Sequence, residues 1–129
     1  MKVICSRENL LEGINIVQKA VSTKTTLPIL EGILLECNEN FKLTGNDLEI
    51  GIECLVEADI REPGSIVINS RIFGDIIRRL PDSEVLIEVQ DNNVVKIECE
   101  NSLFEIKGLV SEGYPALPLI KKENGFKIS

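Results

Sequence analysis

Val3-Ile4-Cys5-Ser6-Arg7 and Val67-Ile68-Asn69-Ser70-Arg71 are one short phrase written twice, 64 residues apart. Each starts as an apolar run of strand type, ends on Ser-Arg, and opens a stretch with helical period. A chain that builds one unit twice is usually a scaffold whose symmetry serves an assembly. After Ser6, apolar residues fall at Leu10, Ile14, Val17 and Val21, close to one face of a helix. After Ser70 they fall at Ile72, Phe73, Ile76, Ile77 and Leu80, again read as one face. Both serines are expected as N-caps, each hydroxyl accepting from a free N–H of the first helical turn. Pro28 lies beyond the first helix and Pro81 directly follows the second, where the chain must leave helical geometry.

Three strand-like segments follow each helix. In the first copy they cover 32–37, 41–44 and 48–58, joined by Asn38-Glu39-Asn40 and Gly45-Asn46-Asp47. In the second they cover 84–90, 94–98 and 102–109, with turns at Asp91-Asn92-Asn93 and Glu100-Asn101. Asn, Asp and Gly tolerate the left-handed backbone that tight turns require. Short alternating strands joined this way predict antiparallel sheet with one face packed on helices. The expected fold is α+β: a duplicated strand-helix-three-strand unit, its two helices packed on antiparallel sheets.

Phe126-Lys127-Ile128-Ser129 resembles Val3-Ile4-Cys5-Ser6 and follows the loop expected at Lys121-Lys122-Glu123-Asn124-Gly125. The unit is therefore expected to start again there. Residues 1–120 are expected to form one domain, and 121–129 a linker with the first residues of a second domain of a longer chain.

A length of 129 residues suits one domain of ordinary size, and 43% hydrophobic residues can supply a core. Aromatics make up only 4%, so Ile, Leu and Val must carry the packing. No apolar run reaches membrane-spanning length. The N-terminus offers only Val3-Ile4-Cys5 before Ser6-Arg7-Glu8, too short for the apolar stretch of a secretory signal, and a cytoplasmic location is the expectation.

Cys5, Cys37, Cys54 and Cys99 show no Cys-x-x-Cys spacing, and there is no histidine. The four read as reduced, buried side chains of strands rather than zinc ligands. No metal or other cofactor is expected. Absence of histidine also removes the commonest general base, and no nucleophile elbow, P-loop or dinucleotide fingerprint is present. Asp47 and Glu49 are the one carboxylate pair that a hydrolase reading can use, against a plain reading as turn-former and solvated strand residue.

Charge is distributed unevenly. The chain carries −7 overall, which argues against a plain nucleic-acid binder. Arg7, Lys19, Lys24, Arg71, Arg78 and Arg79 lie on the helices or their exits, opposed only by Glu8, Glu12 and Asp75. Those nine residues sum to +3 and the remainder to −10. Lys19, Arg78 and Arg79 stand near helix C-termini, where the macrodipole favours cations. Arg7 and Arg71 stand at N-termini, where it disfavours them, so they are the more suggestive pair.

Thr26-Leu27-Pro28-Ile29-Leu30, followed by Leu43-Thr44-Gly45-Asn46-Asp47-Leu48-Glu49, resembles the N-terminal domain of the bacterial DNA polymerase III beta subunit family, the replication sliding clamps. Arg71-Ile72-Phe73 with Asp75-Ile76, Leu80-Pro81 and Tyr114-Pro115 extend the likeness from Met1 to about Leu119. The resemblance implies the DNA-clamp fold and a non-catalytic processivity factor. In that family each subunit carries three similar domains, two subunits join head to tail in a ring, helices line the central hole, and sheets form the outer surface. The implied partners are duplex DNA, held through its phosphates without regard to sequence, a second subunit, and the polymerase and clamp loader, which dock on domains outside this chain.

Residue by residue, Lys24 and Arg71 match family positions that contact DNA. Many relatives carry arginine at the first, and lysine keeps the charge but not the planar fork. Arg7, Lys19, Arg78 and Arg79 are further candidates, the last two with a structural or interfacial alternative. Phe104 and Ile106 share one face of the last strand, alternating with Glu105. They read either as core or, by the resemblance, as part of a sheet edge that pairs with the partner subunit. Two other classes remain: a scaffold that assembles through sheet edges without nucleic acid, and a carboxylate hydrolase built on Asp47 and Glu49.

Overall fold

The structure is a computed structural model of the chain, and it describes residues 1–21, 28–115 and 120–122. The elements run β1 (Lys2–Ser6), α1 (Arg7–Val17), β2 (Gly32–Cys37), β3 (Phe41–Asn46), β4 (Gly51–Val56), β5 (Asp59–Glu62), β6 (Gly64–Asn69), α2 (Ser70–Arg79), β7 (Glu84–Val89), β8 (Val94–Cys99), β9 (Ser102–Lys107) and β10 (Ile120–Lys122). The duplicated unit is present, with β1-α1-β2-β3-β4 answered by β6-α2-β7-β8-β9.

The two copies exchange their first strands. One sheet has the order β5-β1-β7-β8-β9 and the other β10-β4-β3-β2-β6. β1 therefore pairs with the second copy, from Lys2↔Glu88 to Ser6↔Glu84. β6 pairs with the first, from Gly32↔Asn69 to Cys37↔Gly64. Neither copy completes its sheet without the other, so the duplication yields one interlocked α+β domain rather than two halves. The strand pairings are antiparallel except for β10, which runs parallel to β4.

Each helix starts on a side-chain cap, but not on the expected pair of serines. The Ser6 hydroxyl accepts from the Asn9 N–H at 3.1 Å. At α2 the cap is Asn69, whose Oδ1 accepts from the Ile72 N–H at 3.1 Å. Asn caps as well as Ser. It stands one residue earlier, so Ser70 becomes the first helical residue and is buried. The apolar face of α1 is buried through Leu10, Ile14 and Val17, and that of α2 through Phe73, Ile76 and Ile77. Ile72 departs from expectation at 48% exposed. It lies about 100° round the helix from Phe73, past the edge of the buried arc.

Two glycines let α1 lie close on its sheet. A Cβ on Gly13 would come within 2.9 Å of Val56 Cγ2 and 3.0 Å of Leu43 Cδ1. One on Gly45 would come within 2.3 Å of the Val17 carbonyl oxygen. α1 thus rests on β3 and β4, and one cluster of buried residues joins both helices to both sheets. Apart from Phe41 and Phe73 it is made of small and aliphatic side chains, including all four cysteines.

Strand limits differ from expectation where side chains compete for backbone groups. β3 continues through Asn46, and β4 starts only at Gly51. Between them the Asn46 Oδ1 accepts from the Leu48 N–H at 2.8 Å, and the Asp47 Oδ1 accepts from Glu49 and Ile50 at 2.9 Å each. β5 has no counterpart among the expected strands. Its residues are mostly exposed, and Arg61 pairs with Asp59 along the strand at 2.9 Å, so it carries no apolar alternation. Lys121 and Lys122, expected in a loop, lie in β10. The renewed unit at Phe126–Ser129 falls outside the described residues.

Candidate nucleic-acid interface

The two helices run antiparallel, and polar side chains join them along their length. At one end the Gln18 side-chain amide donates to the Ser70 carbonyl oxygen at 3.0 Å. In the middle Arg78 Nη2 donates to Asn15 Oδ1 at 3.2 Å. At the other end Arg7 donates through Nε to the Ile77 carbonyl oxygen at 3.1 Å and through Nη2 to that of Arg78 at 3.0 Å. These bonds hold the exposed helix faces side by side as one surface.

Lys19, Arg71, Arg78 and Arg79 are exposed on that surface. Lys19 and Arg71 flank the Gln18–Ser70 bond and so share one end of the helix pair. Among the described residues neither they nor Arg79 make an ion pair or side-chain hydrogen bond. Arg78 is partly engaged, since it also donates to Asp75 Oδ1 at 3.5 Å. A shallow cleft at the Lys19 end is lined by Gln18, Val21, Ser70, Arg71, Asp75 and Arg78. Lys24 lies outside the described residues.

Arg7 corrects the charge argument. Its position at the start of α1 counted as unfavourable to the macrodipole, yet its guanidinium sits on the C-terminal carbonyls of α2. There the dipole favours a cation: Arg7 satisfies the Arg78 carbonyl and shares the Ile77 carbonyl with the Leu80 N–H, which donates to it at 3.2 Å. Arg7 is therefore first a fastener between the helices. Arg71, exposed at the start of α2, has no such account and keeps its suggestive placement. Asn15 and Gln18 escape a sequence reading, because nothing local marks a polar helix residue as a bridge to another helix.

Opposite this layer the chain is acidic. Glu57, Asp59, Glu62, Glu84 and Glu105 are all exposed on or beside the strands. Asp47 and Glu49, the carboxylate pair, do not converge in a cleft. Asp47 spends one oxygen on two backbone N–H groups of its own turn, which hold its carboxyl below the ordinary range, Ile50 contributing most and then Glu49. Glu49 is exposed. This arrangement dismisses the hydrolase reading.

β9 ends its sheet, and among the described residues no strand pairs with its outer edge. Phe104 and Ile106 are half-buried against the core, whereas Leu103 on the opposite face is 53% exposed. Past Gly108 the chain turns to β6, where Leu109 and Val67 exchange hydrogen bonds of 2.9 and 3.0 Å. Leu109 and Val110 also leave large apolar side chains in solvent. An apolar sheet edge of this kind is ordinarily covered. No helix among the described residues is long and apolar enough to cross a membrane.

Comparison with known proteins agrees with this architecture. The beta sliding clamp of Halalkalibacterium halodurans is 34% identical over 99% of this chain and 36% of its own length. That of Bacillus subtilis is 36% identical over 99% of this chain and again 36% of its own length. The crystal structure of the Bacillus subtilis DNA polymerase sliding clamp superposes with a TM-score of 0.88 at 36% identity, covering 92% of this chain and 33% of that one. The chain thus spans about a third of the length of these relatives. Residues 1–118 match the family described as DNA polymerase III beta subunit, N-terminal domain, and the chain belongs to that family.

Proposed function

We propose that this chain is the first of three similar domains in a ring-shaped DNA sliding clamp, and that its helix layer faces duplex DNA. The observation that carries the reading is the placement of Lys19, Arg71 and Arg79, exposed and unpaired among the described residues, on a layer backed by an acidic sheet surface. Such cations touch phosphates without reading bases, so contacts are weak, salt-sensitive and compatible with sliding. The net negative charge opposes adhesion elsewhere. Processivity then comes from a closed ring and not from tight binding, and the domain catalyses nothing. The domain runs to the end of β10 at Lys122, two residues past the expected limit of 120, with the residues beyond leading into the next one.

The β9 edge, with Phe104 and Ile106 fixing its inner face and Leu103 its outer face, is the surface offered to a second subunit. Head-to-tail contacts that close a ring remove such edges. The replicative polymerase and the clamp loader act through the domains that follow, in the cytoplasm.

The test uses the full-length gene product, loaded by its clamp loader onto nicked circular DNA and followed by gel filtration. Protein that stays on the circle and runs off once the circle is linearised is held topologically. Equal retention on both forms would show an ordinary grip and refute the ring.

A further inference from the structure

We propose that the outer face of the β2-β3-β4 sheet holds a binding site for a primary ammonium or guanidinium group carried on a short aliphatic stem, seated beneath Tyr114. This face lies on the far side of the sheet from α1, so the site stands apart from the helix layer.

Leu34, Thr44 and Glu53 form one row across the three strands, since Leu34 pairs with Thr44 and Thr44 with Glu53. Glu36 and Lys42 lie one row away, paired with each other. Residues Ser111 to Pro115 cross this face as a strap. It is tied down by the Ser65–Ser111 hydroxyl pair at 2.6 Å and by the Asn46 amide donating to the Pro115 carbonyl at 3.5 Å. Between strap and sheet is a cleft of about 280 Å³ lined by Leu34, Glu36, Thr44, Glu53, Ser111, Tyr114 and Pro115.

Two side chains in this cleft lack what they need. Thr44 is only 2% exposed, and among the described residues its buried hydroxyl has no hydrogen-bond partner. The Tyr114 hydroxyl is buried and, among the described residues, unpartnered as well. Buried hydroxyls are ordinarily satisfied, and these two bring unused accepting capacity to one cleft among the described residues.

Charge selects the occupant. Lys42 Nζ lies 3.5 Å from Glu36 Oε1 and 3.2 Å from Glu53 Oε2. One cation therefore serves two carboxylates, and each keeps its other oxygen. An anion would meet two carboxylates. A donor-rich cation meets two free carboxylate oxygens and two hydroxyls that can accept, while Leu34, Pro115 and the Tyr114 ring flank an aliphatic stem. Water alone would satisfy the hydroxyls and leave the surplus negative charge.

The test is nitrogen-15 NMR titration of the 129-residue chain with three probes. These are N-acetyl-lysine N′-methylamide, its uncharged norleucine analogue, and n-butylammonium. Saturable shifts at the amides of Leu34, Thr44, Glu53 and Tyr114 are expected with the two charged probes only. Thr44→Val and Tyr114→Phe should each weaken binding about fivefold to tenfold, the usual scale of one missing hydrogen bond. Glu53→Gln should weaken it further. Tighter binding of the blocked lysine assigns the site to a basic side chain of a polypeptide, and equal binding of butylammonium to a free amine. Absence of saturable shifts, equal response to norleucine, or unchanged binding by Tyr114→Phe overturns the proposal. Tyr114→Phe keeps the ring, so it decides the matter even if Thr44→Val folds poorly.

Discussion

Arg7 Nε donates to the carbonyl oxygen of Ile77 at 3.1 Å, across a sequence separation of 70 residues. The first residue of one helix thereby closes the last turn of the other. The same side chain also satisfies the Arg78 carbonyl oxygen at 3.0 Å. A cation that looks misplaced on its own helix is well placed on its neighbour, which separates a structural charge from those left to face a ligand.

The consequence is measurable in stability. Arg7→Gln removes two charge-assisted bonds and a favourable dipole contact, and should lower unfolding stability by about 1–2 kcal/mol. Arg7→Lys keeps the charge without the fork and should fall between. Urea denaturation followed by circular dichroism reads both. Full stability in Arg7→Gln would return Arg7 to the set of DNA-facing cations.

Arg71 and Arg79 should behave in the opposite way. Both are exposed and unpaired among the described residues, so Arg71→Glu and Arg79→Glu should change stability by no more than about 0.5 kcal/mol. In the full-length protein each should weaken association with duplex DNA and lower the slope of log K against log salt by about 0.9 for every phosphate the protein ceases to neutralise. Fluorescence anisotropy across a salt series measures it. Wild-type slopes in both variants would exclude these residues from the interface.

Sequence pattern identifies the duplication, both helices and β2, because apolar period and turn chemistry act locally. It does not reveal the exchange of β1 and β6, since alternation says which face of a strand is buried and nothing about its neighbour. Asn69 escapes notice as a cap because the Ser-Arg repeat draws the alignment one residue late. β5 escapes because an exposed, charged strand has no periodic signature. At the candidate site, residue types mark the cations, but the distinction between Arg7 and Arg71 depends on a contact between helices. For Phe104 and Ile106 the two readings differ by which face of β9 meets the core.

That last ambiguity has a direct test. Phe104 and Ile106 rest against the core, so alanine at either should destabilise the chain itself, by about 1–3 kcal/mol for partly buried large side chains. Leu103 points outward, so Leu103→Lys should leave the fold intact and weaken only the ring. Denaturation of the chain and sedimentation of the full-length protein separate the two effects. A stable, fully dimeric Leu103→Lys protein would show that the outer face of β9 takes no part in assembly.

Alkaline pH should loosen the core. Burial pushes the Cys5 thiol up to about 12, with Cys37 and Glu84 adding to it, and burial pushes Cys37 up to about 11, against an ordinary 9.0. Both thiols stay neutral in the folded chain where an unfolded chain would ionise them. Their contribution is therefore complete below pH 9.0 and is lost as pH rises towards those higher values. Denaturation midpoints measured upward from pH 9 should fall, less steeply in Cys5→Ala. Parallel profiles for the two proteins would mean that Cys5 does not titrate with unfolding.

Acid should loosen the β3–β4 turn for the converse reason. The Asp47 carboxylate accepts from the N–H groups of Ile50 and Glu49, and these bonds lower its pKa from 3.8. A lowered carboxyl stabilises the folded state above its unfolded value, and that stability is lost as pH falls through the folded one. The turn needs the help, because Leu48 is held at φ 74°, a left-handed backbone that a leucine seldom adopts. Asp47→Ala should thus destabilise the chain at neutral pH, and the difference from wild type should shrink below about pH 4, where the carboxyl of the unfolded chain begins to protonate ahead of the folded one. Asp47→Asn keeps an acceptor without the charge, so its deficit should be smaller at neutral pH. A deficit for Asp47→Ala that stays constant down to pH 2 would show that the acceptor geometry matters and the charge does not.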